Sequence, residues 1–320
     1  MHIRWLPRAR GVYAAQFSAL SFGRPLARAL MSRFFLARRV ARRFVAGEKR
    51  AEVIDVTRKL NAEGLLVSVD YLGESVLNEA ETKAVVAEYV ALLNAVAADA
   101  LKASVSLKLT QLGLDISEDL CLRNMRDILS LAQSLGNIPV TIDMESSEYT
   151  ERTLRIYRTL RDEYAFTNVG TVIQSYLYRS KDDMRALAGE GSHIRLCKGA
   201  YLEPPTVAFP EKSDVDEQYR EIVDEYLAAP LPAYLCIATH DEKMIAAAKT
   251  SITAHSVPPA RFEFQMLYGI RPQRQHELAA EGFQVRVYVP YGEAWYPYLM
   301  RRLAERPANL WFFAKSLFSR

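Results

Sequence analysis

From residue 65 onward the chain alternates, eight times over, a short β-branched run with a capped amphipathic helical run. Few folds accept that rhythm. The candidate strands are 65–70, 103–109, 138–143, 168–174, 192–197, 233–238, 261–266 and 284–289. Several read as near-continuous apolar runs, as expected for strands covered on both faces of a parallel sheet. The helix predicted over 79–98 sets Val85, Val86, Tyr89, Val90, Leu93 and Val96 on one side. It follows Asn78 as N-cap, with Glu81 at the third helical position. Residues 215–227 repeat the pattern with Val215, Tyr219, Ile222, Val223, Tyr226 and Leu227, and Ser117, Ser180, Ser213 and Thr239 are placed to cap later helices. Eight βα units over about 240 residues are the pattern of a (βα)8 TIM barrel. An open doubly wound sheet is the alternative, and its Gly-rich fingerprint is missing. The first strand runs into Tyr71-Leu72-Gly73-Glu74 with a single glycine, and Gly189-Glu190-Gly191 precedes a strand instead of opening a helix.

The length of 320 residues admits two average domains or one large barrel. With half the residues hydrophobic and a quarter charged, disordered, collagen-like and disulfide-scaffold chains are excluded. Cys121, Cys197 and Cys236 are far apart and form no C-x-x-C pair, so they read as reduced thiols of a cytosolic protein. The histidines at 2, 193, 240, 255 and 276 lack metal-ligand spacing, and no metal site is expected. No run of 18 uninterrupted apolar residues is present to span a bilayer.

Charge is unevenly placed. Residues 1–50 hold 12 Lys/Arg and one acid, Glu48, a net of +11, while the remaining 270 hold 29 basic and 37 acidic side chains, a net of −8. The chain thus divides into a basic helical arm, 1–50, and a catalytic barrel, 51–320. In the arm, Phe17, Leu20, Phe22, Leu26, Leu30, Phe34, Phe35, Val40 and Phe44 alternate with basic residues at rough helical spacing. Such a segment serves as a structural cap on the barrel, the preferred reading, or lies on an anionic membrane surface. It also imitates a transit peptide. Nucleic acid is not an expected partner, because the acidic body would repel phosphate.

Active sites of such barrels lie at the C-terminal ends of the strands. Those ends carry Asp70, Glu74, Lys108, Thr110, Asp143, Glu145, Gln174, Arg195, Lys198, Tyr201, Thr239, His240, Gln265, Tyr288 and Tyr291. Any one of them is weak evidence, since a strand-end lysine often just reaches for water. Their convergence suits a polar, anionic ligand. In the last predicted helix, Pro297 suits a first helical position and Pro307 ends the run. Tyr298, Arg301, Arg302 and Glu305 then fall on one face. Adjacent arginines near a helix N-terminus oppose its dipole, so a carboxylate clamp explains them better than a solvated face with an Arg301–Glu305 pair.

The runs Ser106–Asp115 (SLKLTQLGLD), Thr141–Glu145 (TIDME), Ile194–Tyr201 (IRLCKGAY), Ala238–Asp241 (ATHD), Phe262–Gly269 (FEFQMLYG) and Tyr298–Glu305 (YLMRRLAE) resemble the proline dehydrogenases, closest to the short monofunctional bacterial enzymes. The likeness runs from about residue 50 to 312, in order and through every strand end. It implies a distorted barrel whose last helix sits over the mouth. It also implies FAD as cofactor and oxidation of L-proline to 1-pyrroline-5-carboxylate, the first step of proline breakdown to glutamate. A membrane quinone would take the electrons. The implied location is cytoplasmic, with peripheral contact on the inner face of the membrane.

By the same likeness, Asp143 and Arg195 are catalytic, and Lys108, Arg301 and Arg302 hold the substrate carboxylate. Tyr201, Leu267, Tyr288 and Tyr298 wall the proline ring, Glu74 pairs with Arg301, and Glu305 belongs to the same substrate-binding face. Met144, Gln174, Arg195, Lys198, Gly199, Ala200, Thr239 and His240 contact FAD. The bulk of Tyr298 favours proline over 4-hydroxyproline.

Two rivals are set against this. One is a barrel aldolase using Lys108 as a Schiff-base amine. The other is a non-enzymatic membrane- or partner-binding module driven by the arm.

Overall fold

Eight parallel strands close on themselves in chain order, with the eighth hydrogen-bonded back to the first. The computed structural model of the chain describes residues 41–304, with side chains through Met300. The strands are β1 (Leu66–Tyr71), β2 (Ala103–Leu107), β3 (Val140–Ile142), β4 (Val169–Gln174), β5 (His193–Cys197), β6 (Tyr234–Ala238), β7 (Phe262–Leu267) and β8 (Val285–Tyr291). Helix α1 (Arg50–Ala62) precedes β1. The helices that follow the strands are α2 (Glu79–Ala98), α3 (Glu118–Ser134), α4 (Ser147–Arg158), α5 (Ser180–Gly189), α6 (Lys212–Ala228), α7 (Glu242–Ala254), α8 (Pro272–Ala280) and α9 (Trp295–Ala304). The expected (βα)8 barrel therefore forms, each predicted strand within a few residues of its place.

Strand parity divides the side chains. Val67, Val69, Val105, Leu107, Val287 and Val289 are fully buried in one cluster with Tyr89, Leu92 and Leu93 of α2. The alternate positions face the barrel axis. Such barrels usually fill that axis with branched aliphatics. Here much of it is polar. Ser68 and Ser106 are 2.9 Å apart, Arg195 reaches both, and Arg286 reaches Ser104. A polar interior is tolerated only when its groups find partners, and these do.

The Asn78 cap forms as expected, its side chain accepting from Glu81 N at 2.9 Å. The other predicted caps differ. Ser117 occupies the cap position of α3 without a side-chain bond. Ser180 is the first residue inside α5, and its hydroxyl, buried, donates to the Gln174 carbonyl at 2.5 Å. Ser213 lies within the first turn of α6, behind Glu211. Helix α7 is capped by Asp241, which accepts from Lys243 N, while the Thr239 hydroxyl accepts from Asp241 N. An ionised carboxylate suits a helix N-terminus as well as a hydroxyl does and adds charge complementarity.

Helix α9 starts two residues before Pro297, which thus lies in the first turn, where its missing N–H costs nothing. Its Trp295, Tyr298 and Leu299 are buried in a cluster with Leu72, after β1, and with Ala41, Phe44 and Val45; Ile270, after β7, packs against that cluster. Those loops follow strand C-termini, so α9 sits at the mouth and not alongside a strand. The chain just before α1 braces it. Ala46 N donates to Pro290 O, Gly292 N to Gly47 O, and Trp295 Nε1 to Glu48 at 3.0 Å. A Cβ on Gly269 would collide with the Arg43 carbonyl, and its φ of +73° favours glycine as well.

The apolar-basic pattern at 17–40, Glu305 and Pro307 lie outside the described residues, as do the side chains of Arg301 and Arg302. Among the described residues no helix is long and apolar enough to cross a membrane.

Candidate active site

The mouth is built on four groups at or near strand ends. Asp70 is the last residue but one of β1, Lys108 follows β2, Asp143 follows β3, and Tyr288 stands in β8; Arg195 rises from the middle of β5. Asp143 Oδ1 accepts from Arg195 Nη1 at 2.6 Å and Oδ2 from the Tyr288 hydroxyl at 2.6 Å. Lys108 Nζ lies 3.5 Å from Asp70 and 3.8 Å from Asp143. The Arg195 guanidinium carbon stands 5.2 Å from the Tyr288 ring centroid, a cation over an aromatic face.

Asp70, Lys108, Asp143 and Arg195 are buried and Tyr288 half-buried, and for Asp70, Lys108 and Tyr288 burial and the neighbouring charges shift the protonation. Burial pushes Asp70 up from the ordinary carboxylate value, a rise that Lys108 only partly opposes. For Lys108 burial acts downward, but Asp70 and Asp143 overcome it and hold the ammonium above its usual value. Burial with the nearby Asp143 charge pushes Tyr288 well up. A Schiff-base amine must be neutral to attack. Lys108, between two carboxylates, is held in the opposite state, which argues against the aldolase reading.

Glu145 forms a second station. Buried, it accepts from Thr110 N at 3.2 Å and from the Thr110 hydroxyl at 2.7 Å. Burial lifts its pKa to about 7 against the pull of those bonds and of Lys108. The neighbouring loops are tied in: Gln174 Nε2 donates to the Glu145 carbonyl at 2.8 Å and Gln174 Oε1 accepts from Ala200 N at 3.3 Å. Gly199, at φ +129°, presses against Tyr176, whose ring a Cβ would meet at 2.5 Å. Only glycine brings the backbone after β5 that close.

Among the sequence candidates, Tyr201 and Leu267 are half-buried, Met144, Thr239 and Tyr298 buried, and Glu74 exposed. His240 Nε2 accepts from Leu267 N at 2.8 Å, joining the loop after β6 to the end of β7. Lys198 Nζ is bonded to Asp216 of α6 at 2.5 Å and Asp241 at 2.8 Å. Tyr291 does not join the mouth. Its hydroxyl donates to Glu88 of α2 at 2.7 Å, on the helix side of the sheet. Sequence reading passed over Glu203, which accepts from Ser147 N and Oγ at 2.7 and 2.6 Å and so pins the loop carrying Tyr201 to the start of α4.

The family described as "Proline dehydrogenase" matches residues 53–315. Proline dehydrogenase 1 of Bacillus subtilis (strain 168) is 46% identical over 277 residues, covering 87% of this chain and 90% of that protein. Proline dehydrogenase of Deinococcus radiodurans is 43% identical over 281 residues, with the same coverage. The chain belongs to the proline dehydrogenase family.

Membership makes it an oxidoreductase of proline catabolism. The crystal structure of proline utilization A from Bdellovibrio bacteriovorus inactivated by N-propargylglycine is similar, with a TM-score of 0.78 and 27% identity. The match covers 84% of this chain, which spans only 33% of that longer one. Within a proline dehydrogenase the charge balance of the mouth gains meaning. Asp70 and Asp143 face Lys108 and Arg195, two anions against two cations, so the described groups alone leave little net attraction for a carboxylate. Helix α9 carries two more cations, Arg301 and Arg302.

Proposed function

We propose that this chain is an FAD-dependent L-proline dehydrogenase that yields 1-pyrroline-5-carboxylate and passes electrons to a membrane quinone. The observation that carries the reading is the Lys108–Asp143–Arg195–Tyr288 cluster beneath α9, at the end of the barrel where catalysis resides.

The residues fit a flavin dinucleotide. Arg195 is fixed on the axis with its charge intact, Gly199 lets the backbone after β5 pack onto Tyr176, and Gln174 and Ala200 close one side. Met144, Lys198, Thr239 and His240 lie in the loops around the same opening and complete the proposed contacts. When bound, FAD supplies the acceptor for the electron pair taken from proline.

The chain's own side chains do the rest. Lys108, Arg301 and Arg302 hold the substrate carboxylate. Tyr201, Leu267, Tyr288 and Tyr298 wall the ring, so most of the rate gain is orientation. Glu74 pairs with Arg301, and Glu305 joins the residues that bind substrate. Asp143 keeps Arg195 and the Lys108 ammonium in place, and Arg195 offers positive charge where negative charge develops. Helix α9 over the mouth excludes water.

In this reading residues 51–320 are the catalytic unit, and residues 1–50, with a net charge of +11, brace the barrel and touch the inner face of a membrane. Anaerobic addition of proline to the purified protein tests the reading. Bleaching of oxidised flavin bands is expected, and a colourless protein that cannot be reconstituted with FAD contradicts it.

A further inference from the structure

We propose that Gln265 is a positioning residue for Arg195, and that Glu263, buried and paired with Arg286, fixes the direction of its amide. The inference rests on the proposed function, in which Arg195 faces the cofactor.

Glu263 and Gln265 are two apart in β7 and both point to the barrel axis, where they are 1% and 4% exposed. Gln265 Oε1 accepts from Arg195 Nε at 2.5 Å, and Gln265 Nε2 donates to Glu263 Oε1 at 2.6 Å. An ionised carboxylate can only accept, so the amide nitrogen must face Glu263 and the amide oxygen must face Arg195. Arg286 holds Glu263 from the other side, with Nε at 2.6 Å and Nη2 at 3.0 Å. It is itself tied to β1 and β2 through Val67 O and Ser104. Burial would raise the Glu263 carboxyl, but Arg286 and the bonds it receives bring it down to about 2, so the anchor stays charged.

The remaining bonds of Arg195 leave from its Nη atoms, to Asp143, Ser106 and Ser68. Among the described residues Gln265 is thus the acceptor that fixes the Nε edge of the guanidinium. With both edges held, the plane cannot turn. Positioning of this kind is typical of the shell behind a reacting group.

The test uses Gln265→Met, which keeps volume and charge and leaves Glu263 its bonds to Arg286 and Tyr234. Glu263→Gln is the companion variant. The readout is the midpoint potential of the bound flavin, measured beside KM and kcat. If Gln265 positions Arg195, both variants make the flavin harder to reduce, kcat falls, and KM for proline does not move. Charge acting through space predicts no shift for Gln265→Met and an easier reduction for Glu263→Gln. A wild-type potential in Gln265→Met overturns the proposal. A wild-type protein that binds no flavin strikes the proposed function instead. The relay is then judged by exchange of the Arg195 Nε proton with solvent: faster exchange in Gln265→Met supports it, and unchanged exchange overturns it.

Discussion

Asp143 and Arg195 are joined by a buried ion pair of 2.6 Å that crosses from the end of β3 to the middle of β5. The same carboxylate receives the Tyr288 hydroxyl and stands 3.8 Å from Lys108. One carboxylate therefore pairs with Arg195 and shares Lys108 with Asp70. Removing one partner of a buried pair leaves the other uncompensated and costs about 3–5 kcal/mol. Asp143→Asn should lose stability on that order in denaturant unfolding and should lower kcat. A variant as stable as wild type would remove Asp143 from the centre of the site.

The arginines of α9 are expected to act on substrate, not on the fold. A charge-assisted hydrogen bond contributes about 1.5–3 kcal/mol, roughly ten- to a hundredfold in affinity. Arg301→Met and Arg302→Met should each raise KM for proline by that factor while flavin content stays at the wild-type level. An unchanged KM in both sinks the carboxylate clamp.

Glu145 sets a pH dependence. Its folded pKa, about 7, lies above the ordinary 4.5, so the folded state binds the proton more tightly than the unfolded chain. The associated stability is fully present below pH 4.5 and is lost as pH rises through 7. A shift of this size corresponds to something on the order of 3 kcal/mol. Glu145→Gln can still satisfy Thr110, and it should remove that slope, so its stability gains on wild type between pH 5 and 8. Parallel pH profiles for the two proteins would contradict the assignment.

Tyr298 is buried where α9 meets the mouth, in the cluster with Leu72. Trimming it to alanine should raise kcat/KM for 4-hydroxyproline relative to proline by roughly tenfold or more, as expected when a steric block to a hydroxyl is lifted. Comparable use of both substrates by the wild-type enzyme would show that Tyr298 sets no such preference.

The barrel was legible because its signal is repeated. A parallel strand sheathed by helices must be apolar on the outward face, and eight such runs in a row leave little choice. Asn78 was legible as a cap because Glu81 stands where the reciprocal bond needs it. Ser180 was not, because its hydroxyl answers a buried carbonyl of the preceding strand, and that distance cannot be read locally. Tyr291 was set in the mouth by its place at a strand end, yet facing is decided by pleat parity: three residues on from Tyr288, it points to the helices. The partners of Lys198 were not legible either, because the carboxylates that hold it, Asp216 of α6 and Asp241 at the cap of α7, come from later in the chain. Arg195 and Gln265 were singled out at strand ends, but Glu263 and Arg286, which complete their chain, escaped notice for a similar reason. Glu263 and Gln265 alternate with Phe262 and Phe264 in a run that reads as half-buried, and nothing local tells that the polar half lies inside the barrel.

One absorbance spectrum tests the account at its root. The purified protein, held without oxygen and given L-proline, should lose its oxidised flavin bands, and other amino acids should leave them in place. Bands that persist with proline, or that bleach equally with any amino acid, would contradict a cationic, aromatic-walled site built for that one substrate.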